Sequence, residues 1–178
     1  MERIQLKGRW FEISLAEDVI LREIDRVAKL LNDDYQDKDP LFVCVLNGAF
    51  MFAAELVGRF NSLCELTFIR IQSYEGVKRG ESMKEIQSMI ESVENRHVII
   101  VEDIIDTGHT MHYLINKLNK QNPASVRIAT LLFKPDALQL PVQPDYVVEA
   151  IPNDFIVGFG LDYNGHGRNL RNIYKVVT

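Results

Sequence analysis

The stretch Val98–Met111 reads VIIVEDIIDTGHTM, and it joins an apolar run to a helical pattern through an acidic loop. Its first four residues are typical of a strand buried on both faces of a sheet. Glu102 and Asp103 follow that strand, where paired carboxylates need solvent, a cation or hydroxyl donors. In Asp106–Thr110, two threonines, a glycine and the backbone N–H groups of a helix start favour a phosphate-binding loop. Taken alone, the stretch also fits an ordinary strand–turn–helix junction whose loop side chains only cap the helix.

Apolar runs and helical stripes alternate along the rest of the chain. Ser14–Glu17 matches a capping box, in which a hydroxyl and a carboxylate bind free N–H groups at a helix start. A helical stripe of apolar residues follows and is expected to end at Asn32–Asp34. Further strands are predicted over Leu41–Leu46, Leu63–Ile71, Val98–Val101, Val126–Phe133, Tyr146–Ala150 and Phe155–Phe159, and further helices over Phe50–Phe60 and Thr110–Asn119. This alternation predicts an α/β fold with a mainly parallel sheet flanked by helices.

Three segments lie outside the alternation. Ile4–Ile13 and Ile173–Val177 are short extended pieces, and we expect a small hood over one edge of the sheet, with residues 1–13 and about 155–178 contributing. Ser73–Glu91 is polar and weakly patterned, which is typical of a disordered insertion or a functional loop. With 178 residues, the chain is long enough for one well-buried core, so we expect a single domain over residues 1–178.

Composition and charge exclude several classes of protein. The net charge of -5 argues against broad nonspecific binding to nucleic acid, which needs a positive footprint. No apolar run approaches the roughly 20 residues that cross a bilayer, and the first residues lack the pattern of a secretory signal. The cysteines, Cys44 and Cys64, form no C-x-x-C metal or redox motif. We therefore expect a cytoplasmic protein that binds neither nucleic acid nor a membrane.

The stretch Val98–Met111 resembles the phosphoribosyl diphosphate signature of the type I phosphoribosyltransferases: four apolar residues, two acidic residues, then D-T-G-x-T. Four further segments resemble, in the right order, the hypoxanthine-guanine branch of that family. They are VLNGAFMF at 45–52, RIQSYEG at 70–76, LLFKPD at 131–136 and FIVGFGLDYNGHGRNL at 155–170. The similarity spans nearly the whole chain, and the last segment is the one that indicates 6-oxopurine bases.

The resemblance implies the fold, the reaction and the partners of the protein. The fold would be that of the type I phosphoribosyltransferases, a sheet flanked by helices beneath a small hood. The reaction would transfer the 5-phosphoribosyl group from phosphoribosyl diphosphate to hypoxanthine or guanine, giving IMP or GMP and pyrophosphate in purine salvage. Mg²⁺ would be the cofactor, since it binds diphosphates and oxygen ligands. A homodimer or a homotetramer is expected.

The resemblance also implies the roles of the residues in the central loop and beside the purine. Asp106 would be the general base near N7 of the purine. Glu102 and Asp103 would bind the ribose hydroxyls, directly or through Mg²⁺. Lys134 would donate to O6 of the base. The residues expected to surround the 5′-phosphate are Thr107, Gly108, His109 and Thr110, and those expected to contact the purine are Phe155, by stacking, and the backbone near Ile156.

Further residues are implied to hold the pyrophosphate or to cover the reaction. Asp162 would bind Mg²⁺ on the pyrophosphate side, and the forked guanidinium of Arg168 would hold the pyrophosphate itself. The backbone of Asn47 and Gly48 would bind pyrophosphate as well. In a loop that would close over the reaction centre and exclude water, the implied residues are Ser73 and Tyr74.

The sequence departs from the family's pattern at two places and leaves alternatives open. Asn47 stands where many members carry lysine, and a cis peptide at Leu46–Asn47 is expected there. Gly165–Gly167 stands where bulkier or acidic residues are common. The alternatives are a nucleotide-sensing RNA-binding regulator on the same fold, a xanthine-guanine phosphoribosyltransferase, and a generic nucleotide-binding module. A positively charged RNA-binding face would favour the first, and the acidic balance counts against it.

Overall fold

A computed structural model describes residues 3–73, 83–87 and 89–177 of the chain, and these residues form two sheets and three α-helices. The strands are β1 (Arg3–Leu6), β2 (Arg9–Leu15), β3 (Leu41–Leu46), β4 (Glu65–Ser73), β5 (Met83–Gln87), β6 (His97–Ile105), β7 (Ser125–Phe133), β8 (Tyr146–Ala150), β9 (Ile156–Val157) and β10 (Ile173–Val176). The helices are α1 (Glu17–Tyr35), α2 (Phe50–Val57) and α3 (His109–Asn119).

The larger sheet has the strand order β5-β4-β3-β6-β7-β8. Its strands run parallel except β5, which pairs antiparallel with β4. Successive side chains of a strand point to opposite faces, so the continuous apolar run of β3 packs on both sides. The predicted α/β fold with a mainly parallel sheet flanked by helices is confirmed.

Two apolar cores sandwich this sheet. Helices α1 and α2 cover one face, and their buried residues pack against the strand side chains on that side, including Ile24, Leu31, Phe42, Cys44, Phe52 and Leu56. Helix α3 covers the other face, where the buried cluster includes Val43, Ile100, Met111, Leu114 and Leu118. The sheet is therefore buried on both faces along β3 and β6, and its functional groups have to lie at its edge.

The smaller sheet has the order β1-β2-β10-β9 and joins the two ends of the chain. Phe11, Val157 and Tyr174 are almost fully buried at its centre. β2 pairs antiparallel with both β1 and β10. The expected hood is thus present as a sheet of its own. No helix in the described part of the chain is long and apolar enough to span a membrane.

The strand that carries the acidic pair is longer than predicted. β6 continues past Val101 to Ile105, and its pairing with β7 sets Glu102 opposite Thr130 and Ile105 opposite Phe133. The prediction of a strand ending at Val101 is therefore wrong. Backbone pairing with a neighbour, rather than side-chain polarity, decides where this strand ends.

The capping box predicted at Ser14–Glu17 is also wrong. Ser14 lies within β2, and Ala16 is the N-cap residue of α1, without a side-chain cap hydrogen bond. The Glu17 N–H donates instead to Oδ1 of Asn172, at 2.8 Å. A residue 155 positions away therefore binds a free N–H group at the start of α1.

Other predicted boundaries shift by a few residues. Helix α1 continues past Asn32–Asp34 to Tyr35, whose side chain is buried in the core under α1 and α2. The predicted strand Phe155–Phe159 is reduced to β9. Within Ser73–Glu91, the residues that are described include a strand, β5, which pairs with β4 and forms one edge of the larger sheet. The weak apolar pattern of β5 reflects this position at the edge of the sheet.

Candidate active site

Four loops meet at the carboxyl edge of the larger sheet, where parallel α/β sheets bind their ligands. Backbone hydrogen bonds hold three of these loops in line. The Lys134 N–H donates to the Ile105 carbonyl at 2.9 Å, and the Ile151 N–H donates to the Phe133 carbonyl at 2.8 Å. The chain segments after β6, β7 and β8 therefore leave the sheet side by side.

The loop between β6 and α3 forms a small polar cavity. Its volume is about 90 Å³, and its lining residues are Glu102, Ile104, Ile105, Asp106, Thr107, Gly108, His109, Thr110 and Met111. Gly108 is the N-cap of α3 with a φ of 87°, a left-handed conformation that glycine adopts without strain. The free N–H groups and the dipole of a helix N-terminus attract anions. The predicted phosphate-binding loop has the geometry to bind a phosphate group.

Side chains of this loop also contact one another. Thr107 Oγ1 and His109 Nδ1 lie 3.0 Å apart. The His112 N–H donates to the Gly108 carbonyl at 2.9 Å and closes the first turn of α3. The imidazole of His109 thus contacts the loop itself, in addition to the role expected for this residue around the 5′-phosphate.

The acidic pair lies at the end of β6, and its two members differ in exposure. Glu102 is 6% exposed, whereas Asp103 is partly exposed. Burial, followed by the charge of Asp103, holds the pKa of the Glu102 carboxyl well above its usual range. The Asp103 N–H donates to Glu102 Oε1 at 3.1 Å, and the Ile104 N–H donates to Asp103 Oδ1 at 3.0 Å. The pair is therefore held in place chiefly by backbone donors.

The loop after β3 lies between the acidic pair and the hood. The Leu46–Asn47 peptide is cis, as predicted. A side chain at Gly48 would overlap the Asp103 carboxylate, and a side chain at Gly160 would overlap the Gly48 carbonyl. Both glycines are thus needed for close packing of the β3 loop against β6 and against the segment after β9. Asn47 and Gly48 lie beside Asp103, where the sequence predicts a pyrophosphate site.

The general base and the base-recognising lysine predicted from sequence contact each other. Lys134 Nζ donates to Asp106 Oδ2 at 3.0 Å and to Asn153 Oδ1 at 3.3 Å. The lysine side chain is 8% exposed and the Asp106 side chain 46%. A buried ammonium needs such oxygen acceptors, because it has left the solvation of water. The carboxylate can turn toward solvent or a ligand, while the lysine is enclosed.

An aromatic cluster forms the hood side of this region. Phe155 is 45% exposed, and its ring packs edge-on against Tyr163 at 5.6 Å between centroids and at a tilt of 48° against Phe11 at 6.4 Å. Arg9 lies over the Tyr163 ring at 5.5 Å. Next to Phe155, Ile156 is buried in β9, where its backbone pairs with β10. An exposed aromatic ring on a fixed support can stack on a planar ligand.

Asp162 and Arg168, two residues predicted to bind pyrophosphate and its metal ion, are paired with each other. Arg168 Nη2 lies 2.5 Å from Asp162 Oδ1, and Arg168 Nη1 donates to the Gly160 carbonyl at 2.7 Å. The Gly165 N–H donates to Asp162 Oδ2 at 2.6 Å. The loop that contains Gly165–Gly167, one of the two departures from the family's pattern, is therefore closed around this ion pair.

Comparisons with known proteins agree with this arrangement. The family model named "Phosphoribosyl transferase domain" matches residues 15–164. The chain belongs to the phosphoribosyl transferase domain family. A hypoxanthine-guanine phosphoribosyltransferase of Streptococcus thermophilus (strain CNRZ 1066) is 41% identical over 161 residues, which are 89% of each chain. One from Streptococcus pneumoniae (strain ATCC BAA-255 / R6) is 38% identical over 160 residues, again 89% of each chain.

Solved structures of the same family share the fold. A hypoxanthine phosphoribosyltransferase from Staphylococcus aureus superposes with a TM-score of 0.90 at 33% identity, covering 93% of this chain and 91% of that one. The enzyme of Trypanosoma cruzi in complex with the product IMP gives a TM-score of 0.88 at 36% identity, covering 98% and 97%. The resemblance to the phosphoribosyltransferases and the type I fold inferred from sequence are confirmed.

Two phosphoribosyltransferase site residues predicted from sequence cannot be placed fully. Ser73 ends β4, where its backbone pairs with Met83. Tyr74 lies outside the described residues. Sequence reasoning missed Asn153, the second acceptor of Lys134, and Tyr163, the support of Phe155. Their positions in the sequence could have indicated both residues, because Asn153 lies two positions before Phe155 and Tyr163 directly follows Asp162.

Proposed function

We propose that this phosphoribosyltransferase transfers the 5-phosphoribosyl group of phosphoribosyl diphosphate to hypoxanthine or guanine, giving IMP or GMP and pyrophosphate, in purine salvage. The names of its relatives support this reaction. The observation that carries the proposal is the pair formed by Lys134 and Asp106 beside the cavity of the β6–α3 loop. An ammonium, a carboxylate and a polar cavity at a helix start lie at one sheet edge, and their chemistry supports the roles of donor, proton acceptor and phosphate site.

The chemistry of the purine edge explains the choice of base. Guanine and hypoxanthine carry two neighbouring groups on one edge, O6 and N7, whereas adenine replaces the O6 acceptor by an amino donor. The ammonium of Lys134 can only donate hydrogen bonds. It therefore favours a 6-oxo group and disfavours adenine, whose amino group sets a donor against a donor and offers the ammonium no acceptor from the base.

We propose a separate role in the reaction for each group of residues at the site. Thr107–Thr110 bind the 5′-phosphate, while Glu102 and Asp103 orient the ribose through its hydroxyls. As the purine nitrogen forms its bond to C1 of the ribose, the bond to pyrophosphate breaks, and Asp106 accepts the proton that the purine loses at N7. Arg168 neutralises the departing pyrophosphate, and the backbone of Asn47 and Gly48 donates to it.

Magnesium is the proposed cofactor, with Glu102, Asp103 and Asp162 as the residues that would hold it. The described residues contain no group of three or more His, Cys, Asp or Glu side chains able to hold a metal ion by themselves. The donor set still fits Mg²⁺, which binds to one or two carboxylates and completes its shell with water and substrate phosphates. The raised pKa of Glu102 arises from burial and from Asp103, and a cation beside them would offset both effects. Bound there, Mg²⁺ would supply charge neutralisation for a diphosphate.

Three further proposals follow from family membership. Ser73 and Tyr74 belong to a segment that covers the reaction centre and excludes water. The protein is cytoplasmic and forms a homodimer or a homotetramer. Exposed apolar side chains on β4, Leu66 at 39% and Phe68 at 38%, support self-association, because large apolar surfaces are usually covered. Light scattering of the purified chain measures this mass, and a monomer at micromolar concentration contradicts it.

One assay tests the proposed function. The purified protein is mixed with phosphoribosyl diphosphate and Mg²⁺ and, in separate reactions, with hypoxanthine, guanine, xanthine, adenine or uracil, and nucleotide and pyrophosphate are measured. We expect equal amounts of the two products with hypoxanthine and guanine and little with adenine or uracil. Comparable turnover of xanthine would redefine the substrate class, and no turnover with any base would contradict an enzymatic function.

A further inference from the structure

Asn153 lies where three segments of the sheet edge converge, and no role has been assigned to it so far. Its Oδ1 accepts a hydrogen bond from Lys134 Nζ at 3.3 Å. It belongs to the turn between β8 and β9, two residues before Phe155. The same short turn therefore contacts the residue proposed to bind O6 and presents the ring proposed to stack on the base.

The turn that carries Asn153 is anchored at both ends. On one side, the Ile151 N–H donates to the Phe133 carbonyl at 2.8 Å. On the other, the Val176 N–H donates to the Phe155 carbonyl at 2.9 Å. Between them, Pro152 restricts its own φ, and the Asp154 N–H closes a tight turn on the Pro152 carbonyl at 2.8 Å. The backbone on both sides of Asn153 is thus held, so this exposed residue offers its Oδ1 to Lys134 from an anchored turn.

The two acceptors of Lys134 respond differently when a purine binds. Asp106 is proposed to turn to N7 of the purine, so its hydrogen bond to Lys134 would break as its contact with the purine forms. Asn153 has no such second task and can keep its bond. Because its amide is neutral, it holds the ammonium without offering a full negative charge that would compete with O6.

We propose that Asn153 is a positioning residue: its side-chain oxygen fixes the Lys134 ammonium relative to the Phe155 ring, so that O6 of a 6-oxopurine meets the donor while the ring stacks. This inference rests on the proposed function. It assigns to the β8–β9 turn a part in base selection that is separate from binding of the phosphoribosyl group.

The test compares Asn153→Ala, Asn153→Leu and Asn153→Asp. We expect Asn153→Ala and Asn153→Leu to raise KM for hypoxanthine and guanine about tenfold, since hydrogen bonds to charged groups are among the stronger ones. Their KM for phosphoribosyl diphosphate stays within about twofold, because residues 107–110 are untouched. Asn153→Asp keeps an acceptor oxygen but adds the negative charge that competes with O6, so we expect its base KM to lie between those of Asn153→Leu and the unmodified protein.

A matched control is Asn32→Ala. The Asn32 side chain, near the C-terminal end of α1, donates to the Ala28 and Arg59 carbonyls, both at 2.9 Å. This variant should lower the unfolding temperature and leave both KM values unchanged. If Asn153→Ala raises the two KM values alike, or if Asn153→Asp is no better than Asn153→Leu, the side chain is only structural and the inference is wrong.

A binding measurement separates this inference from the proposed function. Calorimetry compares GMP with AMP on the unmodified protein and on Asn153→Ala, without any turnover. A preference for GMP that falls about tenfold in the variant supports the role of Asn153, even if the assay with the five bases shows no reaction. An unchanged preference overturns it, even if the unmodified protein is fully active.

Discussion

Asp106 is the residue whose chemistry can be isolated most cleanly. Its carboxylate projects from the β6–α3 loop with a 46% exposed side chain, and it forms an ion pair with Lys134. The proposed phosphate contacts of the rest of the loop come from backbone groups and hydroxyls, which do not depend on this carboxylate. The loss of a proton acceptor can therefore be distinguished from the loss of the phosphate site.

We expect Asp106→Asn to lower kcat about 10²- to 10³-fold, as is typical when a general base is removed. Because asparagine has the same shape, affinity for phosphoribosyl diphosphate should change less than about threefold. Steady-state rates and calorimetry give the two quantities. Asp136→Asn, an exposed aspartate just beyond Lys134, is the control and should change neither. Equal losses of rate and affinity in Asp106→Asn would refute its role as base.

The sequence could predict contacts inside one loop but not those between loops. The residues of Asp106–Thr110 are adjacent in the chain, so their residue types alone predicted a phosphate site. Asp106 and Lys134 lie 28 positions apart, and Lys134 and Asn153 lie 19 apart. They meet because β6, β7 and β8 are neighbours in the sheet, and strand order is a property of the whole fold.

The two cysteines offer a second prediction at the scale of single residues. Burial, and then the charges of Glu102 and Asp103, raise the pKa of the Cys44 thiol to about 12. Burial raises the pKa of Cys64 as well, but Cys64 is only partly buried. The thiolate is the reactive form, and a raised pKa keeps the thiol protonated at neutral pH.

We therefore expect slow labelling of Cys64 by a thiol reagent in the native protein, and labelling of Cys44 only after unfolding. The rate at Cys64 should rise with pH over the whole range from about 7 to 9, because its pKa lies above the usual value of about 8.5. Mass spectrometry of digested protein identifies the labelled residue. Labelling of native Cys44 as fast as Cys64 would contradict its burial in β3.

At the scale of elements, the start of α1 depends on a distant side chain. Helix starts leave free N–H groups, and a local Ser-x-x-Glu pattern usually indicates which residues bind them. Here β2 extends to Leu15 because it pairs with β10, so Ser14 is unavailable as a cap. Asn172, which immediately precedes β10, accepts from Glu17 instead. The sequence predicted the helix correctly, and its cap could not be read locally because tertiary pairing occupied the local candidate.

We expect Asn172→Ala to reduce the free energy of unfolding by about 1 kcal/mol, the usual effect of losing a helix cap. For a protein of this size, that lowers the unfolding temperature by about 2–4 °C. Ser14→Ala, the matched control, should change the free energy by less than about 0.5 kcal/mol, since Ser14 is exposed and makes no cap. Urea and thermal unfolding measure both. If Ser14→Ala lost more free energy of unfolding than Asn172→Ala, Ser14 and not Asn172 would be the cap of α1.

At the scale of the whole molecule, the active site depends on contact between the hood and the larger sheet. Arg171, just before β10, pairs with Glu17 of α1 and Glu55 of α2. At the site itself, Gly160 packs against the Gly48 carbonyl. The extended pieces near the two ends of the chain predicted the hood, and the alternation of strands and helices between them predicted the larger sheet. The close approach of the hood to the β3 loop could not be predicted, because it depends on the absence of a side chain at Gly160, which meets Gly48 only in the folded chain.

The last prediction tests this approach by adding one carbon atom. Gly160 has a φ of 100°, and a Cβ there would overlap the backbone of Gly48, which cannot turn away as a flexible side chain could. Gly8, at the tip of the hood's first hairpin, has a φ of 84° and no atom within 4 Å of an added Cβ. Alanine at either position carries a similar backbone cost, of about 1 kcal/mol. Only at Gly160 must the hood move away from the sheet.

We therefore expect Gly160→Ala and Gly8→Ala to lower the unfolding temperature, with the larger loss at Gly160. The two variants should differ clearly in enzymatic activity. Gly160→Ala should reduce kcat/KM for phosphoribosyl diphosphate at least about tenfold, because it displaces the Asn47–Gly48 backbone from its place beside Asp103, and misplacement of a binding group by an ångström has effects of this size or more. Gly8→Ala should retain the activity of the unmodified protein. If both variants keep full activity while folded, close packing of the hood on the β3 loop is not required for binding of phosphoribosyl diphosphate.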